Sequence, residues 1–213
     1  MVKTATKGKV FWRLGFAILV GSLSLTIGGC SNDGDPAKTT DLSPTEQVDL
    51  GWSHFEDGEY ASALQEFEGA LGRNGNLSDA WNGKGWALGK LPNRLDEAPA
   101  CFAKALQIDT TRYDAIGGWA FAAYQIGNWS SAVNKSDSLL HRRPGWRFLH
   151  EVTLNEKDLQ LVIAASHFNL GDYSSSYATI IDHLNPLFEA DINTPAGRLE
   201  LLDEIERLRR VNG

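Results

Sequence analysis

From residue 44 onward the apolar positions recur at helical spacing, and short glycine-aromatic stretches break the runs. Three of these stretches match: Gly58-Glu59-Tyr60, Gly127-Asn128-Trp129 and Gly171-Asp172-Tyr173. Each follows one amphipathic run and precedes another. Glycine supplies the left-handed residue that ends a helix, and the aromatic staples the next. A small residue after each turn, at Ala63, Ala98, Ala132 and Ser176, recurs at separations of 35, 34 and 44. Helix starts fit this frame. Ser43-Pro44-Thr45-Glu46 reads as a capping box with proline at the first helical position, and Thr111–Asp114 and Thr153–Glu156 repeat the hydroxyl-to-acid spacing. Thr194-Pro195 opens a last helix to about Arg210, with an expected apolar face of Leu199, Leu202, Ile205 and Leu208.

The N-terminus has a different pattern. Residues 1–13 are basic, and residues 14–27 form an apolar run of only 14 residues, short of the roughly 20 needed to span a bilayer. Ile27-Gly28-Gly29-Cys30 then resembles a bacterial lipobox. The resemblance implies cleavage before Cys30, diacylglycerol on its thiol and acylation of the new amine, so the chain would be held to the membrane through an N-terminal lipid. The expected layout is a signal peptide over 1–29, lipidated Cys30 and a flexible tether over 30–43, and a folded domain over 44–213. Ser31 stands where an aspartate marks inner-membrane retention, which favours the periplasmic side of the outer membrane in a Gram-negative host.

The period of 34 in helix–turn–helix form resembles the tetratricopeptide repeat, whose pattern is W-x₂-L-G-x₂-Y, then A-x₃-F, then P. The first unit offers Leu50-Gly51, Ala63 and Phe67; the second, Trp81, Gly85, Ala98 and Phe102. The third offers Trp119-Ala120, Ala132 and Pro144; the fourth, Ile163-Ala164, Ser176 and Ile180. Leu91-Pro92-Asn93-Arg94 replaces the glycine turn in the second unit, and residues 145–154 interrupt the period. The resemblance implies an all-α solenoid of about four helical hairpins plus a C-terminal capping helix.

Charge and motifs narrow the function. The chain carries a net charge of −7, and residues 1–29 contribute Lys3, Lys7, Lys9 and Arg13 with no acid, so the domain itself is more acidic still. That argues against a nucleic-acid partner, which needs a basic face. No metal-ligand, phosphate-loop or nucleophile-elbow motif occurs, and the five histidines are scattered. Neither cofactor nor catalytic residues are expected, and Cys101 reads as a small buried hydrophobe.

The resemblance also places a candidate site. First helices of such repeats line a concave groove, and the frame puts Trp52, Phe55, Trp86, Phe121, Tyr124 and Phe168 on that side. The expectation is a partly exposed aromatic groove for a protein or peptide partner in the cell envelope, in a scaffold rather than an enzyme. The alternative is a glycan- or small-ligand-binding lipoprotein whose tryptophans stack on sugar rings. Trp146, Phe148 and Leu149 of the interrupting segment could dock on the stack or meet a partner.

Overall fold

The computed structural model describes residues 42–212. The segment expected to be a signal peptide, Cys30 and most of the expected tether lie outside them. Four antiparallel helix pairs follow one another: α1 (Pro44–Glu56) with α2 (Tyr60–Arg73), α3 (Ser78–Lys90) with α4 (Ala98–Ile108), α5 (Tyr113–Gln125) with α6 (Trp129–Arg142), and α7 (Glu156–Asn169) with α8 (Tyr173–Thr179). A π-helical turn, Ile180–Leu184, extends α8, and α9 (Pro195–Asn212) closes the stack. The first helices α1, α3, α5 and α7 also touch one another in order, which makes them the inner, concave layer. The result is an all-α solenoid of the tetratricopeptide type with a capping helix.

The turns work as their residues dictate. Gly58, Gly127 and Gly171 have φ of 81°, 82° and 80°, and the N–H after each donates five residues back, as in Glu59 to the His54 carbonyl at 2.8 Å. The middle residue of two turns then caps the next helix: Asn128 Oδ1 accepts from Ser131 N–H and Asp172 Oδ1 from Ser175 N–H. In the second unit Asn93 takes the left-handed conformation instead, at φ 60°. The capping box at Ser43–Glu46 is present. Ser43 and Leu42, assigned to the tether, are thereby tied to the domain; the Leu42 carbonyl also accepts from Arg73.

Three local expectations need correction. Thr111 does not cap α5; its hydroxyl turns back to Asp109 at 2.6 Å, and Arg112 is the N-cap residue with no side-chain cap. The box that opens α7 is Asn155 with Asp158, two residues beyond Thr153–Glu156, because residues 151–154 turn back and Asn155 pairs with Arg147 before the helix starts. In α9 the buried stripe is Leu201, Ile205 and Leu208, while Leu199 is 63% exposed. Glu204 joins the buried stripe, accepting from Asn185 and Arg207, and this turns the helix away from the register read from the apolar positions alone.

The hairpins stack through aromatic rings set against glycines. Ala63, Ala98, Ala132 and Ser176 are fully buried where paired helices meet, and the Ser176 hydroxyl donates to the Ala164 carbonyl at 2.8 Å. Phe67 of α2 lies between Gly51 of its own unit and Gly83 of the next. A β-carbon at those positions would fall 2.7 and 2.3 Å from the ring. Phe102 of α4 repeats the arrangement with Gly85 and Gly118, at 2.7 and 2.3 Å.

Gly-to-Ala in a helix interior ordinarily stabilises by about 1 kcal/mol. Gly83→Ala should instead destabilise, on the order of 1–3 kcal/mol, because the ring has no room to retreat. Gly72→Ala, with nothing within 4 Å, should be neutral or stabilising. Thermal unfolding of the two variants gives the comparison, and equal melting temperatures would contradict the slot.

Candidate functional site

The inner layer brings Trp52, Phe55, Trp86 and Phe121 to one wall, not as an open groove, while Tyr124 and Phe168 pack at their own hairpin turns. Trp52 and Trp86, expected to be partly exposed, are 4% and 0% exposed, and Phe55 and Phe121 are also buried. The cover is the chain's own α6–α7 connection. Trp146, Phe148 and His150 point inward at alternate positions, while Arg147 and Leu149 are exposed. Side chains alternate this way only in an extended segment.

The inward rings span three repeats in turn, and Phe148, besides its stack on the second, also reaches Trp52 and Phe55 of the first at 6.1 Å. Trp146 lies beside Phe121 of the third repeat with centroids 6.3 Å apart, and its indole N–H donates to Asp114 Oδ1 at 2.8 Å. Phe148 stacks on Trp86 of the second repeat at 4.0 Å and 13°. His150 stacks on Trp52 of the first at 3.7 Å and 1°, and its Nδ1 contacts Glu56 Oε1 at 2.8 Å. Glu151 completes the series with an ion pair to Lys90 Nζ at 2.5 Å. The segment thus runs from third repeat to first, against the order of the solenoid. Of the two outcomes open for its residues, Trp146 and Phe148 dock on the stack, and Leu149 faces solvent.

Phe55, Tyr124 and Phe168 have a further task. Each packs edge-to-face on the aromatic five positions ahead, Tyr60, Trp129 and Tyr173, with centroids 5.2–5.3 Å apart. This row therefore staples each hairpin turn, and Phe168 is only half-buried. Arg209 of α9 lies over the Tyr124 ring at 5.1 Å, so the capping helix reaches the same face.

Electrostatics follow burial. Removal from water pushes the Asp114 carboxyl above the ordinary range, against the lowering effect of the Trp146 hydrogen bond. Burial pulls the Lys90 ammonium down, and Glu151 partly restores it. Burial raises the Asp158 carboxyl to about 6 and the Cys101 thiol to about 11. Beside the covering segment a cavity of about 400 Å³ stays open, lined by Asp49, Glu56, Asp79 and Asp114 with Arg112 and Ser53. Arg112 pairs with Asp79 at 3.2 Å. Among the described residues no three His, Cys, Asp or Glu side chains come together to hold a metal ion.

The polar anchors Glu56, Lys90, Asp114 and Glu151 escape the aromatic pattern that marks the groove. A signal for one of them was present. Asp79, Asp114 and Asp158 each stand six residues before the small packing residue of their repeat, Gly85, Ala120 and Ala164. A carboxylate ladder at one repeat position is visible once the frame is drawn.

Comparison with solved structures agrees with the architecture. The chain is similar to MamA from MSR-1 (TM-score 0.54, 12% identity, 78% of this chain and 81% of that one). It is also similar to MamA from AMB-1 (0.55, 14%, 79% and 86%). A third likeness is to TTC0263, a thermophilic TPR protein in Thermus thermophilus (0.54, 12%, 80% and 84%). At these identities the likeness is one of fold. No protein-family model and no curated protein matches the chain.

Trp86 is fully buried, so its removal empties a core site. Trp86→Ala should cost about 3–5 kcal/mol of folding stability, as for a core tryptophan. A near-native melting temperature would place the ring outside the core.

Proposed function

We propose that this chain is a lipid-anchored scaffold of the cell envelope that binds a protein partner through the concave face of its repeats. The observation that carries the reading is the groove's own occupant. An extended peptide segment already lies there, with one ring against each of three successive repeats and a charged or hydrogen-bonded anchor beside each end. A surface that holds one extended segment by side chains has the chemistry to hold another. The tetratricopeptide-like fold supports a protein partner, and the acidic charge speaks against nucleic acid. The glycan reading has less support, because the faces of Trp52 and Trp86 that a sugar would need are stacked on His150 and Phe148.

The anchor and the location rest on sequence. Basic residues, a short apolar run, two glycines and Cys30 follow in the order that a lipoprotein signal requires, and Ser31 favours the outer membrane. No helix among the described residues is long and apolar enough to cross a membrane.

Two measurements test these points separately. Cys30→Ser should leave unprocessed precursor or release the protein from the membrane fraction; a variant processed and fractionated like the wild type removes the anchor from the proposal. A photo-crosslinking amino acid at Ser53, which lines the open cavity, should give a discrete adduct in intact cells, and one at the exposed Gln65 of the outer layer should not. Adducts at Gln65 alone would move the binding surface away from the concave face.

A further inference from the structure

We infer that the α6–α7 segment is a displaceable stand-in for the groove's external ligand, an extended peptide with rings at three alternate positions followed at once by a carboxylate. The inference rests on the scaffold reading and specifies its ligand.

The attachment has the character of a bound peptide. Backbone hydrogen bonds of the segment are local: Trp146 N–H donates to the Arg143 carbonyl, Phe148 N–H to Leu154 and Leu154 N–H to Glu151. Among the described residues its hold on α1, α3 and α5 is made by side chains. Opening therefore breaks stacking and polar side-chain contacts while the helices keep their own hydrogen bonds. The fit is also incomplete. Among the described residues the buried Trp52 indole N–H has no acceptor, an unmet donor in the closed state. At the segment's turn Leu149 and Val152 are 73% and 63% exposed, so two large apolar side chains gain nothing from docking.

The anchors state what a competing peptide must carry. Asp114 requires a donor on the first ring, which indole supplies and phenyl does not. Trp86 offers a flat apolar face and takes any aromatic in the middle. Glu56, itself exposed, adds a weak preference for a nitrogen or hydroxyl donor on the third ring. Lys90, drawn into low-dielectric surroundings beside the Phe55 and Tyr60 rings, favours an acid directly after it. The tethered segment competes at an effective concentration on the order of millimolar, so an external peptide reaches the intact groove only weakly until the tethered copy is impaired.

A synthetic peptide of residues 144–155, Pro-Gly-Trp-Arg-Phe-Leu-His-Glu-Val-Thr-Leu-Asn, is the probe. Titrated into the full chain carrying Phe148→Ala, it should bind at least about tenfold more tightly than to wild type, since the tethered competitor has lost its central ring. A scrambled peptide of the same composition should bind neither. Phe148→Cys offers a second readout that needs only the folded chain: the buried thiol should react with a thiol reagent faster when the peptide is in excess, and not when the scrambled peptide is. Absence of binding to Phe148→Ala in a sample folded by circular dichroism, or a labelling rate at Phe148→Cys unmoved by the peptide, overturns the inference. The outcome is separable from the scaffold reading. Crosslinks at Ser53 without peptide binding leave the scaffold and remove the stand-in; peptide binding without crosslinks shows the segment displaceable but overturns its reading as a stand-in for an external partner.

Discussion

A phenylalanine ring lying between two glycines of adjacent inner helices is the contact on which the rest of this solenoid depends. Phe67 against Gly51 and Gly83, and Phe102 against Gly85 and Gly118, set how closely one hairpin approaches the next. A repeat cannot bury its apolar face alone, so stability lies in these interfaces. The glycines cost helix propensity, roughly 1 kcal/mol each relative to alanine. They are tolerated because each removes the β-carbon that would hold the hairpins apart. Close approach in turn aligns Trp52, Trp86 and Phe121 as a continuous wall on the inner side, where a flat-ringed segment can reach all three.

That wall explains why the repeat period breaks where it does. A bare face with two tryptophans and a phenylalanine would expose an apolar patch of the kind that soluble domains avoid unless it is a binding surface. The extra residues between α6 and α7 are long enough to leave the turn, cover the wall as far as the first repeat and return through Leu154 to α7. The interruption therefore belongs to the groove.

Much of this was legible in the sequence because repetition averages out local ambiguity. The turns at Gly58, Gly127 and Gly171, the small residues at Ala63, Ala98, Ala132 and Ser176, and the placement of Trp52, Trp86 and Phe121 on successive inner helices all follow from one period. Exposure of Trp52 and Trp86 did not follow, because it depends on a non-repeating segment distant in the chain, and no periodicity reports where such a segment docks. Residues 145–154 do alternate ring and non-ring side chains, but ten residues without a partner in view fit loop and strand equally. The register of α9 was missed for a related reason. Leu199-Leu202-Ile205 and Leu201-Ile205-Leu208 are both helical stripes, and only the pairing of Glu204 with Asn185 selects the second.

The polar contacts beneath the covering segment are better understood as registration than as adhesion. Bringing Lys90 and Glu151 out of water costs free energy that their mutual attraction offsets only in part, and a buried pair is often no more stabilising than apolar side chains of similar size. What the pair does is penalise every other register. A shift of two residues would keep an aromatic against most of the wall, since Trp146, Phe148 and His150 are all flat rings. It would, however, take Glu151 away from Lys90 and the Trp146 N–H away from Asp114, leaving the Lys90 ammonium only partly compensated by the Phe55 and Tyr60 rings and the half-buried Asp114 carboxylate without its indole donor. Stacking supplies the attraction with little sense of position, and the charges at either end supply the position. A wall built on that division holds the covering segment in a single direction and a single register.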